Sequence, residues 1–173
     1  MTVRSEGSLV SKGSYVSGAY FSQCGLYRYL LWRRWAHGSK VRQVMIIGLN
    51  PSTADEFQND PTIRRCIQFA KDWGYGGLVM ANVFAYRATR PVDLFAAKDP
   101  IGCKNDRLIQ DVLKDCDVVI AAWGNHCPTE RQNAIAAMIE EPLYCLGCNQ
   151  NGSPKHPLYL PKTTKLRPYS CNG

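Results

Sequence analysis

The chain has 173 residues, of which 45% are hydrophobic and 20% charged, a composition that excludes intrinsic disorder and collagen-like structure. Its length favours a single domain over residues 1–173, and no apolar run approaches the ~18 residues that a membrane helix requires. The net charge is +7, and the first 18 residues lack the apolar stretch of a signal peptide, so we predict a cytoplasmic protein without a membrane partner.

Two segments precede the regular part of the chain. Residues 1–20 are rich in Ser and Gly, which predicts an irregular or mobile segment. Residues 25–35 mix aromatic side chains with arginines. This mixture fits an edge strand or a short helix, and we favour the edge strand.

Strands and helices then alternate along the chain. Short apolar runs predict strands at residues 44–49, 78–84, 117–123 and 143–146. The first helix begins at Asp60-Pro61, where an aspartate N-cap precedes a proline at the first helical position. Two further helices are predicted, over residues 105–114 and from Thr129 onward.

This alternation predicts an α/β protein with three layers, α/β/α, built on a central four-stranded, mostly parallel sheet. In such sheets, ligands bind beyond the carboxyl ends of the strands. The segments that follow the predicted strands are rich in polar residues, Gly and Pro, and they comprise residues 50–55, 82–91, 123–126 and 152–160. The sequence therefore predicts a site at this edge of the sheet.

The positive charge is concentrated towards the two ends of the chain. Residues 1–40 contain six Lys/Arg and one acidic residue, and residues 153–173 contain four Lys/Arg and no acidic residue. Residues 41–152 are slightly acidic. Basic ends suit a polyanionic partner such as nucleic acid, but they also suit termini that only improve solubility. Charge alone leaves both interpretations open.

Eight cysteines are spaced irregularly, and the pair Cys145 and Cys148 forms the one C-x-x-C motif. A zinc site usually has two such pairs, or one pair with closely spaced histidines, and an iron–sulfur cluster needs four convergent cysteines. We therefore predict free or buried thiols, with no metal and no cofactor. A metal at Cys145 and Cys148 remains the alternative.

Six stretches of the chain are distinctive: LNPSTAD (49–55), DPTIRRC (60–66), NVFAYRAT (82–89), DPIGCKND (99–106), AAWG (121–124) and HPLYL (156–160). With Tyr27-Arg28-Tyr29, they make nearly the whole chain resemble a bacterial and phage family known as domain of unknown function 1643. That family is similar, more distantly, to the uracil-DNA glycosylase superfamily. The shared motifs are G-x-N-P (48–51), a strand ending in Asn-Val with an Arg- and Pro-containing loop (82–91), and His-Pro (156–157).

The resemblance implies a uracil-DNA glycosylase-like fold and a set of site residues. By similarity to the first motif, Asn50 would position the attacking water, with Asp55 as an alternative base or stabiliser of the sugar cation. Asn82 would bind the edge of the base, since an amide offers both a donor and an acceptor. His156 would donate a hydrogen bond to the leaving base as negative charge develops on it.

A flipped base also needs an aromatic platform, and the DNA backbone needs cations. Three aromatic residues are candidates for stacking on the base: Phe57, Phe84 and Trp123. Four basic residues are candidates for phosphate contacts: Arg87, Arg90, Lys155 and Lys162. We interpret Asp60 mainly as a helix cap.

Two departures from the superfamily bear on the reaction. Asn50 stands where its most active branch has an acidic, water-activating residue, and Ser52 stands where a glycine is common. The leading hypothesis is a uracil-DNA-glycosylase-like protein that recognises a nucleobase, in DNA, and cleaves or exchanges its N-glycosidic bond. The alternatives are a non-catalytic reader of modified DNA and an enzyme acting on free nucleotides or nucleosides.

Overall fold

The computed structural model describes residues 10–12, 15–38 and 40–170. Within these residues, eight strands form one sheet with the order β1-β2-β3-β5-β4-β6-β7-β8. The strands are β1 (Val10–Lys12), β2 (Tyr15–Phe21), β3 (Arg28–Arg34), β4 (Gln43–Gly48), β5 (Gly77–Asn82), β6 (Val118–Ala121), β7 (Leu143–Cys145) and β8 (Arg167–Pro168). The helices are α1 (Pro61–Asp72), α2 (Pro91–Phe95), α3 (Asn105–Leu113) and α4 (Thr129–Ala137), and a 3-10 helix spans Pro157–Tyr159.

The α/β class is confirmed, but the prediction of a four-stranded, mostly parallel sheet is wrong. Strands β5, β4, β6 and β7 are parallel to one another, whereas β1, β2, β3 and β8 are attached through antiparallel pairs. Among the strand pairs of the described residues, four are antiparallel and three are parallel. Strands β1, β2 and β8 were missed because their short runs, which contain Ser, Gly, Arg or Pro, carry a weaker signal than β-branched apolar runs.

Strand β3 also corrects the prediction of an edge strand at residues 25–35. It lies inside the sheet, with β2 on one side and β5 on the other, and Leu31 pairs with Met80 of β5. The prediction that residues 1–20 are irregular is likewise wrong for residues 10–12 and 15–20, which form strands. Residues 1–9, 13 and 14 lie outside the described part of the chain.

Alternate residues of the central strands point to opposite faces of the sheet, and a hydrophobic core covers each face. One core packs Val44, Ile46 and Ile120 against α1, through Ile63, Cys66 and Phe69. The other packs Met45, Ile47 and Val119 against Leu94 of α2, Ile109 of α3 and Ile135 of α4. Burial on both faces explains why β4, β5 and β6 are almost continuously apolar.

Helix α1 starts as the sequence predicts. The backbone N–H of Ile63 donates to the side-chain Oδ1 of the N-cap Asp60 at 2.8 Å, and Pro61 occupies the first helical position. Among the described residues, no helix has the length and apolar character needed to cross a lipid bilayer.

The parallel strands have the order β5-β4-β6-β7, so the chain leaves β4 towards one side of the sheet and later returns to build β6 on the other. The carboxyl ends of β4 and β6 therefore lie where the chain reverses its winding direction. Connections that diverge in this way leave a crevice beyond the strand ends, which is the usual position of ligands in open α/β sheets.

Candidate functional site

A cavity of about 430 Å³ opens in this crevice, at the carboxyl ends of β4, β5 and β6. Most of the residues that line it are polar. Four asparagines line it, Asn50, Asn82, Asn125 and Asn149, together with Arg28, Asp60, Trp123, Gly124, His126 and His156. Of the residues that the sequence predicts for a site, the structure brings Asn50, Asn82, Trp123 and His156 together here.

Asn82 is the last residue of β5 and is 2% exposed. Its Oδ1 accepts a hydrogen bond from Arg28 Nη2 at 3.3 Å, which assigns the amide orientation. A Cβ on Gly48 would lie 3.0 Å from Asn82 Nδ2, so glycine at position 48 allows this close approach. The buried side chain of Asn105 fixes the end of the strand by donating to Asn82 O at 2.9 Å. Asn82 thus presents an amide N–H donor to the cavity.

Asn50 follows β4, and its amide nitrogen has a structural partner. Nδ2 donates to Ala88 O at 2.8 Å and to Pro51 O at 3.0 Å, which fixes the loop after β5 beside the end of β4. The opposite atom of the amide, Oδ1, accepts no hydrogen bond from the described residues. This acceptor is the group that Asn50 offers to a water or a ligand.

His156 is half-buried and precedes the 3-10 helix. Its Nδ1 accepts from the backbone N–H of Leu158 at 3.3 Å, so in the neutral imidazole the proton is assigned to Nε2. Burial lowers the pKa of His156 below its usual value, and the Asp60 carboxylate opposes this shift. Gly124, with φ of +74°, lets the chain turn sharply after β6 and approach the His156 side chain. The result is a neutral donor at the cavity wall.

Arg28 and Asp60 are charged residues of the wall that sequence analysis did not assign to the site. Arg28 is 2% exposed, and burial lowers its pKa to about 10, with the Asp60 carboxylate opposing this shift. Asp60 caps α1, as predicted, and also lines the cavity. One feature of the sequence could have indicated Arg28 as a site residue, namely its position beside aromatic and apolar residues in a predicted strand. A charged residue that is buried there needs partners.

Three residues predicted for catalysis or for stacking on the base lie outside the cavity wall. The Asp55 carboxylate accepts from the backbone N–H groups of Phe57 and Gln58 at 2.8 and 2.7 Å, and so closes a local turn. Phe57 is 66% exposed. Phe84 is buried, and its ring packs edge-on against Phe95 with the ring centroids 5.8 Å apart, so it has no free face for a base.

Trp123 reaches the cavity wall but is fully buried in the core. Its Nε1 donates to Gln132 Oε1 at 3.0 Å, and its ring packs edge-on against Tyr169. These contacts fix the indole against α4. Trp123 therefore forms part of the floor of the cavity and presents no open ring face for stacking.

The four predicted phosphate contacts, Arg87, Arg90, Lys155 and Lys162, are exposed and do not line the cavity. Arg87 lines a neighbouring depression of about 580 Å³, which shares Ser52, Ala88 and Thr89 with the cavity wall. Arg90 forms an ion pair with Asp93 at 2.7 Å. Arg87 is therefore the basic candidate positioned next to the cavity.

The C-x-x-C pair lies at the end of β7, with Cys145 Sγ and Cys148 Sγ 3.9 Å apart. In the part of the chain that the structure describes, no group of three or more His, Cys, Asp or Glu side chains is arranged to hold a metal ion. Cys171 lies outside the described residues.

The fold and the cavity define an α/β protein with a polar candidate ligand site at the carboxyl ends of its parallel strands. A family model described as "Protein of unknown function (DUF1643)" matches residues 28–158, which is most of the chain. The protein therefore belongs to this family, as the sequence motifs predicted. No curated protein and no solved structure matches the chain. The matched segment starts at Arg28 and includes Asn50, Asp60, Asn82 and His156.

Proposed function

We propose that this protein recognises a nucleobase in DNA with its strand-end cavity and cleaves the N-glycosidic bond of that base. The observation that carries the proposal is the convergence of Asn50, Asn82 and His156 on one cavity of about 430 Å³, a volume typical of small-molecule sites. These residues come from three separate motifs that resemble the uracil-DNA glycosylase superfamily. The uracil-DNA glycosylase-like fold is part of the same proposal.

Each side chain has a role that its hydrogen bonding supports. Asn82 donates from Nδ2 to an acceptor on the base edge, while Arg28 holds its Oδ1. His156 donates from Nε2 to the leaving base, and it does so as a neutral imidazole because burial lowers its pKa. The oxygen of Asn50 accepts a hydrogen bond from the attacking water and so orients it.

The reaction begins when the bond between C1′ of the sugar and the ring nitrogen breaks, with its electron pair passing to the base. Positive charge then develops on the sugar, and the carboxylate of Asp60 stabilises it. The water oxygen bonds to C1′, and Asp60 accepts the proton that the water loses. Asp60 takes this role in the proposal because it is the acidic residue of the cavity wall.

Features around the cavity support DNA as the carrier of the base. Arg87 lies in the adjoining depression, and residues 153–173 carry four basic residues and no acidic one. Tyr159, three residues after His156, is 89% exposed, which makes its ring available to a nucleic acid base. A basic surface with an exposed aromatic ring is typical of nucleic acid contacts.

The test uses duplex and single-stranded oligonucleotides that each contain one modified or deaminated base. Single-turnover reactions are followed by mass spectrometry of the released base, and binding is measured at several salt concentrations. We expect base release that is slowed by Asn50→Ala and His156→Ala, and affinity for DNA that falls as salt rises. The exposed Asn133→Ala and His37→Ala are matched controls that should react like the wild type. Absence of both release and binding across the panel would overturn the proposal.

A second candidate is a reader that binds a modified base in DNA without cleaving it. The observation that favours it is the amide at position 50, whose nitrogen is held by two backbone carbonyls and which cannot accept a proton as a carboxylate can. A reader would bind one of the oligonucleotides specifically and release no base in the single-turnover assay.

A further inference from the structure

Arg28 is a buried cation in the cavity wall. It is the first residue of β3 and is 2% exposed, and its side chain reaches the crevice between the strand ends. Burying a guanidinium removes its hydration, so the surrounding groups must compensate for its charge and satisfy its five N–H bonds. An acceptor or a counter-charge that Arg28 lacks therefore indicates which group a ligand of the cavity supplies.

The partners of Arg28 in the described residues are all neutral. Nη1 donates to Ala54 O at 2.8 Å, and Nη2 donates to Asn82 Oδ1 at 3.3 Å. Nε is buried and has no hydrogen-bond partner. No carboxylate of the described residues forms an ion pair with this guanidinium. The direct hydrogen-bond partners of Arg28 are thus two neutral oxygens, and the Asp60 and Asp55 carboxylates act on its charge without forming an ion pair with it.

Two other buried arginines provide the comparison. Arg131, which is 8% exposed, forms an ion pair with Asp106 and also donates to Val83 O. Arg33, which is 3% exposed, lacks a carboxylate partner, but each of its three side-chain nitrogens donates to an oxygen. Neither of them lines the cavity. Of these three arginines, Arg28 is the one that has a buried N–H without an acceptor, at Nε, and that also lines the cavity.

The surroundings of Arg28 in the cavity favour an anion of low charge. Asn82 Nδ2 and His156 Nε2 are further donors on the same wall, and neither has an acceptor among the described residues. Asp60 is the acidic residue of the lining, and its Oδ1 already accepts from Ile63 N–H. Its negative charge disfavours a second charge on the ligand, so a single negative charge suits the cavity better than two.

We propose that the cavity binds its ligand through a singly charged, anionic oxygen that Arg28 holds. The oxygen belongs either to an acidic heterocyclic ring or to a phosphate ester. In both cases an anionic oxygen accepts charge-assisted hydrogen bonds from the planar guanidinium. The inference deepens the proposed function and rests on it, since it names the chemistry of the group bound in the same cavity. Burial is the main cause that lowers the pKa of Arg28, and the Asp60 carboxylate offsets it only in part.

The first test compares probes on the wild-type protein by calorimetry and by thermal unfolding. Barbiturate is a pyrimidine ring that is anionic at pH 7, and uracil is its neutral counterpart. Dimethyl phosphate, a diester with one negative charge, represents the phosphate source. We expect barbiturate or a phosphate probe to bind about tenfold or more tightly than uracil, the effect of one charge-assisted hydrogen bond. Equal binding of anionic and neutral probes would overturn the inference.

The second test changes the cation. Arg28→Met keeps much of the side-chain volume and should remove the preference for anions, whereas Arg33→Met, a buried arginine outside the cavity, should retain it. Asn82→Asp serves if Arg28→Met does not fold. It places a carboxylate at the position that is 3.3 Å from Arg28 Nη2, so it should raise the melting temperature and abolish anion binding. If Arg28→Met or Asn82→Asp binds the anionic probes as tightly as the wild type does, the inference is contradicted.

The outcomes separate this inference from the proposed function. If dimethyl phosphate or barbiturate binds in an Arg28-dependent manner but no DNA base is bound or released, the proposed function fails and the anion site stands. If DNA bases are released at the same rate by the wild type and by Arg28→Met, and no anion binds preferentially, the anion site fails and the proposed function stands.

Discussion

Substitutions of Asp60 can separate two roles of this residue, which caps α1 and also lines the cavity. Asp60→Ala removes both the hydrogen-bond acceptor and the charge. Asp60→Ser and Asp60→Asn remove the charge but retain an oxygen that can cap the helix. Stability should therefore depend on the cap, whereas base release should depend on the carboxylate.

The expected loss of stability follows from one hydrogen bond and one charge. Ile63 N–H donates to Asp60 Oδ1 at 2.8 Å, and an N-cap lost to alanine costs about 1 kcal/mol. The negative charge at the start of a twelve-residue helix contributes about 0.5 kcal/mol more through the helix dipole. Ser and Asn variants should thus lose about 0.5 kcal/mol and the Ala variant about 1.5 kcal/mol. For a chain of this length, each kcal/mol lowers the melting temperature by about 2–4 °C.

Urea denaturation measures the free energy of unfolding, and single-turnover base release tests the proposed reaction. All three variants should release the base about 100-fold more slowly, since a positioned general base contributes at least this much. The exposed Asp72→Ser, at the other end of the same helix, is the control for both assays. Equal destabilisation by Ser and Ala refutes the capping argument, and wild-type base release by Asp60→Asn refutes a role of the carboxylate in the reaction.

Three further predictions concern pH, a partly buried ion pair and thiol reactivity. Because burial lowers the pKa of His156, the unfolded chain binds this proton at a higher pH than the folded chain, so the free energy of unfolding should fall as pH drops below 6.5. Urea denaturation of His156→Gln should show a flatter pH dependence. Arg131→Met removes a buried guanidinium whose partner Asp106 is partly exposed, and it should cost about 2 kcal/mol in urea denaturation. Arg107→Met, which breaks an exposed pair, should cost below about 1 kcal/mol. Iodoacetamide should modify Cys24 first and Cys66 only on unfolding, as peptide mass spectrometry can show. A hydrogen bond with Ser22 lowers the pKa of the exposed Cys24, whereas burial raises that of Cys66 to about 12.

Each of these expectations has a contrary result. An unchanged pH dependence in His156→Gln would mean that the imidazole titrates equally in both states. Similar costs for Arg131→Met and Arg107→Met would mean that burial does not strengthen the first pair. Early modification of Cys66 would mean that α1 opens locally in the folded protein.

Local signals in the sequence account for the central part of the fold. The apolar runs at 44–49, 78–84, 117–123 and 143–146 correspond to β4, β5, β6 and β7. The first three are apolar at nearly every position because these strands are buried on both faces. Asp60-Pro61 predicts the start of α1 for an equally local reason, since a cap bonds to a residue only three positions away. Patterns of this kind need no knowledge of distant contacts.

The sequence by itself determined the family, the α/β class and the polar character of the segments that follow the parallel strands. Only the tertiary structure decided which of these polar residues meet. It brought Arg28 to Asn82, 54 residues away, and placed Asp60 in the cavity wall, while Asp55 closes a local turn and Phe84 enters the core. The physical reason is that residues inside and outside the cavity wall look alike in sequence, as Asp60 and Asp55 do. Whether a side chain reaches the cavity depends on the path of the chain over long separations, and no local pattern carries that information.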